Sequence, residues 1–178
     1  MDIKTLIEEY EMLPSELVGN IIQKVTYYEI GSEKDKHFNL DDHHSLDFGL
    51  QLDTLSGESY YLIWDKIRVS HDLKFSKGKI TQDLHIGESI GQYDVSLESP
   101  WKELIGLKIM EVKSYWQVFG LVDEIVYPQD IQIVFENGES VVISALEIQP
   151  NGEVYSLADH ISVFFDIETA KKYGAMNI

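Results

Sequence analysis

The sequence predicts a mainly β protein, α+β by count, made of two related antiparallel β units in a pseudo-twofold sandwich or barrel-like arrangement, with a short helix at each end. Three observations predict it. Leu17, Gly19, Ile22, Val25 and Tyr28 recur with identical spacing as Leu104, Gly106, Ile109, Val112 and Tyr115. Further on, Leu50-Gln51-Leu52 is matched by Ile131-Gln132-Ile133 and Gly57-Glu58-Ser59 by Gly138-Glu139-Ser140, in the same order. The runs around these anchors are rich in β-branched and aromatic residues and are bounded by glycine-containing turns, as strands are. A period of about 85 residues is too long for the common solenoid repeats. It fits two copies of a small β unit, each with a half-exposed apolar face and open edges that pairing would cover. The expected organisation is an N-terminal half over residues 1–98 and a C-terminal half over residues 99–178, sharing one core.

The elements follow in order. Ile3, Leu6, Ile7, Tyr10 and Leu13 lie at helical spacing, with Asp2 as N-cap and Pro14 as terminator. Residues 21–30 form a strand and residues 31–45 a polar loop. Residues 48–55 and 60–64 pair as a hairpin across Gly57. Tyr60, Leu62 and Trp64 share one face and Tyr61 and Ile63 the other, so that strand is central. Further strands are expected at 67–75, 80–86 and 92–97. Pro100 suits the first position of a helical turn before the second copy. In that copy, strands are expected at 107–118, 130–135, 140–148 and 160–165. Glu136-Asn137-Gly138-Glu139 is a tight hairpin turn, because Asn-Gly tolerates positive φ. Asp166 caps a closing helix over residues 167–173, which Gly174 stops.

Composition narrows the function. The chain has no cysteine, which excludes disulfides, thiolate metal sites and a cysteine nucleophile. The acidic start and the lack of a long apolar run predict a cytoplasmic protein without signal peptide or membrane span. Net charge is −17, and Arg68 is the only arginine, so nucleic acid and anionic membranes are not expected partners. From Ser114 to Ala170 there is no Lys or Arg. The bland account of that stretch is solubility. The functional one is a docking face for a basic protein, because complementary potentials speed encounter. Asp130, Glu136, Glu139 and Glu147 are its expected contributors.

The candidate chemistry is sparse. Asp42, His43 and His44, in the loop Asp41-Asp42-His43-His44 with His37 nearby, are of metal-ligand type, but adjacent ligands in a loop define no geometry. His71-Asp72, Asp83 with His85, and Asp159-His160 are acid–base pairs by composition only. Gly87-Glu88-Ser89-Ile90-Gly91 matches a serine-nucleophile elbow in letters, yet β-like residues follow it where a helix is required. Tyr27, Tyr28, Tyr60, Tyr61, Trp64, Tyr115, Trp116 and Phe119 read as sandwich core before pocket lining. The expected function is therefore a non-enzymatic acidic interaction protein that uses no cofactor, such as an inhibitor or immunity-type antidote of a basic nuclease. Its rivals are a small-molecule-binding module with a pocket between the halves and a metal-dependent hydrolase built on the Asp41–His44 loop.

Overall fold

The computed structural model describes residues 3–31, 38–84, 89–120 and 125–176. Asp2, His37, His85, Gly87 and Glu88, and the acids Asp123 and Glu124, lie outside the described residues. The chain is mostly antiparallel β, with one helix near each end, α1 (Ile3–Ser15) and α2 (Ile167–Lys172). A first sheet orders its strands β5 (Asp72–Lys77), β4 (Ser59–Asp65), β3 (Gly49–Thr54), β1 (Ile22–Ile30) and β6 (Ile90–Asp94). A second orders β2 (His44–Leu46), β12 (Ile161–Phe164), β9 (Ser140–Ser144), β8 (Ile125–Phe135) and β7 (Ile109–Phe119). β10 (Leu146–Ile148) and β11 (Val154–Ser156) form a separate small ribbon. No helix among the described residues is long and apolar enough to cross a membrane.

The meander β1-β3-β4 and the meander β7-β8-β9 have the same register throughout. Ile22 faces Thr54 as Ile109 faces Phe135, and both long strands carry a bulge one residue later. Tyr28 faces Gly49 as Tyr115 faces Asp130, and Gly49 faces Ile63 as Asp130 faces Ser144. The hairpin turns match as well. The Gly57 N–H bonds the Thr54 carbonyl at 3.0 Å, and the Gly138 N–H bonds the Phe135 carbonyl at 2.9 Å.

The two copies meet at their starts. Gly19 N–H donates to the Ile109 carbonyl at 2.8 Å, and Gly106 N–H donates to the Ile22 carbonyl at 3.0 Å. Each bond is the other's image under the repeat. Between them Ile21 bridges Lys108, its own counterpart, so the pseudo-twofold axis passes through that pair. Both glycines hold left-handed backbone, with φ of 86° and 87°. That conformation turns each N–H toward the opposite copy, and it disfavours any side chain.

Alternation then sets the core. Val25, Tyr27, Leu50 and Leu62 of the first sheet share one buried cluster with Ile131, Ile143 and Val163 of the second. Trp101, fully buried, packs in the same cluster. The outward side of the first sheet is sealed by Tyr28, Tyr61 and Ile63 under Ile80. The outward side of the second is covered by α2 through Ala170, over Val142 and Phe164. Helix α1 is pinned by the Tyr10 hydroxyl, which donates to the Leu73 carbonyl at 3.1 Å. The Tyr10 and Trp116 rings meet edge to face, 5.2 Å between centroids, and the Arg68 guanidinium lies over both, 5.6 and 5.4 Å from their centroids.

Several expected elements differ. Residues 80–86 were expected as a strand, but Ile80–Gln82 is a 3₁₀ turn, in which the Ile80 N–H is taken by the Gln51 side chain at 3.0 Å. Of the strand expected at 67–75, only the part from Asp72 on is strand. The Asp72 carboxylate binds the Ile67 and Arg68 N–H groups at 3.0 and 3.2 Å and curls the chain there. The strand expected at 140–148 breaks at Ala145, whose N–H bonds Gln129 at a bulge in β8, and β10 then leaves the sheet for β11. Helix α1 runs one residue past Pro14, which has no N–H for the Tyr10 carbonyl and so marks the last turn. Part of the expected polar loop is β2, which pairs with β12 of the other half.

A substitution checks the crossing. No atom lies within 4 Å of a Cβ added at Gly19 or Gly106, so alanine there meets strain alone. Gly19→Ala and Gly106→Ala are each expected to cost about 1–2 kcal/mol in urea unfolding, with similar values for the two. A neutral result at either site would contradict the reciprocal geometry.

Candidate functional site

The four acids expected to form one exposed patch are dispersed. Asp130 is fully buried. Its carboxylate accepts from the Ser144 hydroxyl and from the Met176 N–H at 2.9 Å, and burial raises its pKa to about 6. It is an internal acid and makes no surface contact. The equivalent site of the first half takes no side chain, because a Gly49 Cβ would lie 2.1 Å from the Leu62 carbonyl oxygen and 2.9 Å from the Ile63 side chain. Glu136 and Glu139 are exposed at the β8–β9 hairpin, where Glu136 accepts from the Lys108 N–H at 3.1 Å. Glu147 is half-buried on β10, beyond the other end of β9.

The Asp41–His44 loop is split by strand alternation. His44 enters β2 and points into the core, where its Nδ1 accepts from the Tyr27 hydroxyl at 2.8 Å. The Tyr27 oxygen in turn accepts from the Trp101 indole N–H. Phe38 and Phe165 pack around the imidazole, and burial lowers its pKa to about 4. His43 points to the outer side, between Phe164 and Tyr173. Its Nδ1 lies 2.8 Å from Asp42, and its Nε2 is buried without a hydrogen-bond partner. Asp42 also accepts from the Tyr173 hydroxyl at 2.9 Å and from Lys172 at 3.3 Å. Its carboxyl is held below the usual range, first by the His43 bond. The two imidazoles thus serve opposite sides of the sheet and do not converge on one ion.

The acid–base pairs fare unequally. His71 Nδ1 faces the Leu157 carbonyl at 3.0 Å, away from Asp72. Asp83 is held by the Tyr61 hydroxyl and Lys74, each at 2.6 Å. His85, the other member of that pair, lies outside the described residues. Asp159 and His160 do come together, at 3.5 Å, beside Glu147.

Two clefts lie against the β10–β11 ribbon. One, of about 510 Å³, lies between the projecting β7–β8 ribbon, the β10–β11 ribbon and the end of α2. Val118, Phe119, Tyr127, Leu146 and Val154 line it, and among the described residues none of its lining side chains is charged. Val118 and Phe119 are more than half exposed, at 57% and 53%. Neighbouring Ile125 and Tyr155 are exposed too. The second cleft, of about 430 Å³, lies between the loop 39–43 and the β10–β11 turn, with His43, Gln149 and Tyr173 in its wall. Sequence reasoning assigned Phe119 to the core and passed over Val118. The signal lay in their place, next to Gly120 at the far end of a strand that runs on with β8 beyond the end of β9.

Comparison with protein-family models, with curated proteins and with solved structures returned no match.

The buried histidine gives a pH dependence of known sign. His44 protonates near 4 in the folded chain and near 6.5 in the unfolded one. The unfolded state therefore takes up the proton first as pH falls. The stability contributed by neutral His44 is whole above about pH 6.5, and about 3 kcal/mol of it is lost by pH 4. Asp130 acts in the opposite sense, adding stability as pH falls through about 6. Urea unfolding of the parent and His44→Gln between pH 4.5 and 7.5 isolates the histidine. The parent's advantage shrinks as pH falls, and a pH-independent difference would contradict the burial of a neutral ring.

Proposed function

We propose that this protein is a non-enzymatic interaction module whose uncharged cleft receives an apolar segment of a basic partner protein, as an inhibitor or antidote of a basic enzyme such as a nuclease does. One observation carries the reading. The β7–β8 ribbon holds Val118, Phe119 and Ile125 exposed beside a 510 Å³ cleft, within a stretch from Ser114 to Ala170 that has no positive charge. Exposed apolar surface rimmed by polar residues marks interaction sites, and burying it supplies affinity at roughly 25 cal/mol per Å² before the costs of association. The net charge of −17 steers a cationic partner and repels nucleic acid. The nearest lysines are already engaged, Lys171 with Glu168 and Lys172 with Asp42, both at 3.3 Å. A cytoplasmic location belongs to the same reading.

A second reading, a small-molecule module, is favoured by one observation. The 430 Å³ cleft is walled by both halves and has the buried, unpartnered Nε2 of His43 close by.

Val118→Lys and Phe119→Lys test the first reading, because both sites are exposed and such changes cost within about 0.5 kcal/mol of stability. Each variant is expected to lose, at least tenfold, the affinity for a basic protein captured by the parent from its native host. The parent's own binding weakens as salt rises. Equal retention of the same partner by parent and variants would overturn the reading.

A further inference from the structure

A cluster of titratable groups joins β10 to the start of β12, and neither cleft uses it. Glu147, Asp159 and His160 bring their ligand atoms within 4.8 Å of one another. They come from β10 and from the approach to β12, so the sheet, rather than local sequence, assembles them. Two carboxylates and an imidazole within that distance match the donor set of first-row divalent ions.

The surroundings orient the imidazole. The Asp47 carboxylate is anchored by the Ile30 N–H, which donates to its Oδ2 at 2.8 Å, and the Asp47 carbonyl by the Trp64 indole at 2.7 Å. The other oxygen, Oδ1, lies 3.5 Å from His160 Nε2. That contact turns the Nε2 edge of the ring toward Asp47 and the Nδ1 edge toward Asp159. Nδ1 is buried without a hydrogen-bond partner and lies 3.5 Å from Asp159 Oδ1. A carboxylate behind a histidine is the usual outer support of a metal-bound imidazole. Glu147 is positioned by the Gln149 amide, which donates to its Oε1.

Behind Asp47, Glu29 is only 6% exposed, and burial raises its pKa to about 9, so it is a neutral acid that shares a hydrogen bond with Asp47. Among the described residues, no lysine or arginine pairs with Asp47, Glu147 or Asp159, although exposed acids elsewhere, such as Glu16 and Glu111, hold lysines. Three carboxylates thus gather around His160.

We propose that Glu147, Asp159 and His160 bind one divalent first-row metal ion of the zinc type, with Asp47 as the positioning residue behind His160. The ion joins β10 to the start of β12.

Zinc titration by calorimetry into chelator-stripped protein tests the site, with cobalt absorption as a spectroscopic check. The expected result is one ion per chain, a cobalt d–d band, and a raised unfolding temperature with zinc. His160→Ala and Glu147→Gln are expected to weaken binding at least tenfold, and Asp47→Asn by about tenfold. His43→Ala, outside the cluster, leaves it unchanged. Asp159 is 64% exposed at its side chain, so Asp159→Asn carries the test if His160→Ala fails to fold. No stoichiometric binding would overturn the proposal, as would binding that survives Glu147→Gln and Asp159→Asn or is lost in His43→Ala.

Discussion

Two backbone hydrogen bonds, from Gly19 to Ile109 and from Gly106 to Ile22, fix how the halves of this chain meet. They lie on either side of the pair Ile21–Lys108, and both depend on glycine in the left-handed region. From that crossing β1 and β7 start at equivalent points, bulge at equivalent points and present Val25 and Val112 to the same core. The hairpins across Gly57 and Gly138 then carry the register into the third strand of each meander. A slip by one residue in either copy would turn its apolar set outward.

The duplicated frame makes its departures informative. Tyr27 and Ser114 are equivalent, yet only Tyr27 joins the buried series Trp101–Tyr27–His44. Gly49 and Asp130 are equivalent, yet only the second is an acid, lodged against Ser144 and the chain's last described turn. Beyond the shared register, the β7–β8 ribbon continues past Tyr115, where Pro128 and the bulge at Gln129 end β9's pairing. The apolar cleft, the histidine–carboxylate cluster and the cover of α2 all lie in these unshared parts. The repeat supplies the frame, and the clefts and the titratable cluster lie where its constraints stop.

The sequence made local features legible. The repeat anchors, the two glycine hairpins and the Asp166 cap, which accepts from the Thr169 N–H at 2.8 Å, are each set by residues a few positions apart. Features that need distant partners were not legible. Asp130 reads as a surface acid because Ser144 and Met176, which enclose it, lie far along the chain. Adjacent His43 and His44 read as co-ligands, but strand alternation sends them to opposite sides. His160 and Asp159 were noticed as a pair, while Glu147 and Asp47 join them only through the β12–β2 and β10 placements. Residues 80–86 read as a strand because their apolar content is real, but Ile80 spends it sealing the outer face of the first sheet.

The claim underlying all of this is that one crossing welds two copies into one cooperative core. Native-state amide hydrogen exchange tests it most directly. The account predicts that the Gly19, Gly106 and Ile109 amides exchange only through global unfolding, with the same protection as Leu52 and Ile133 in the two sheets. Faster exchange at the two glycines, through an opening that frees one meander while the other stays protected, would contradict it.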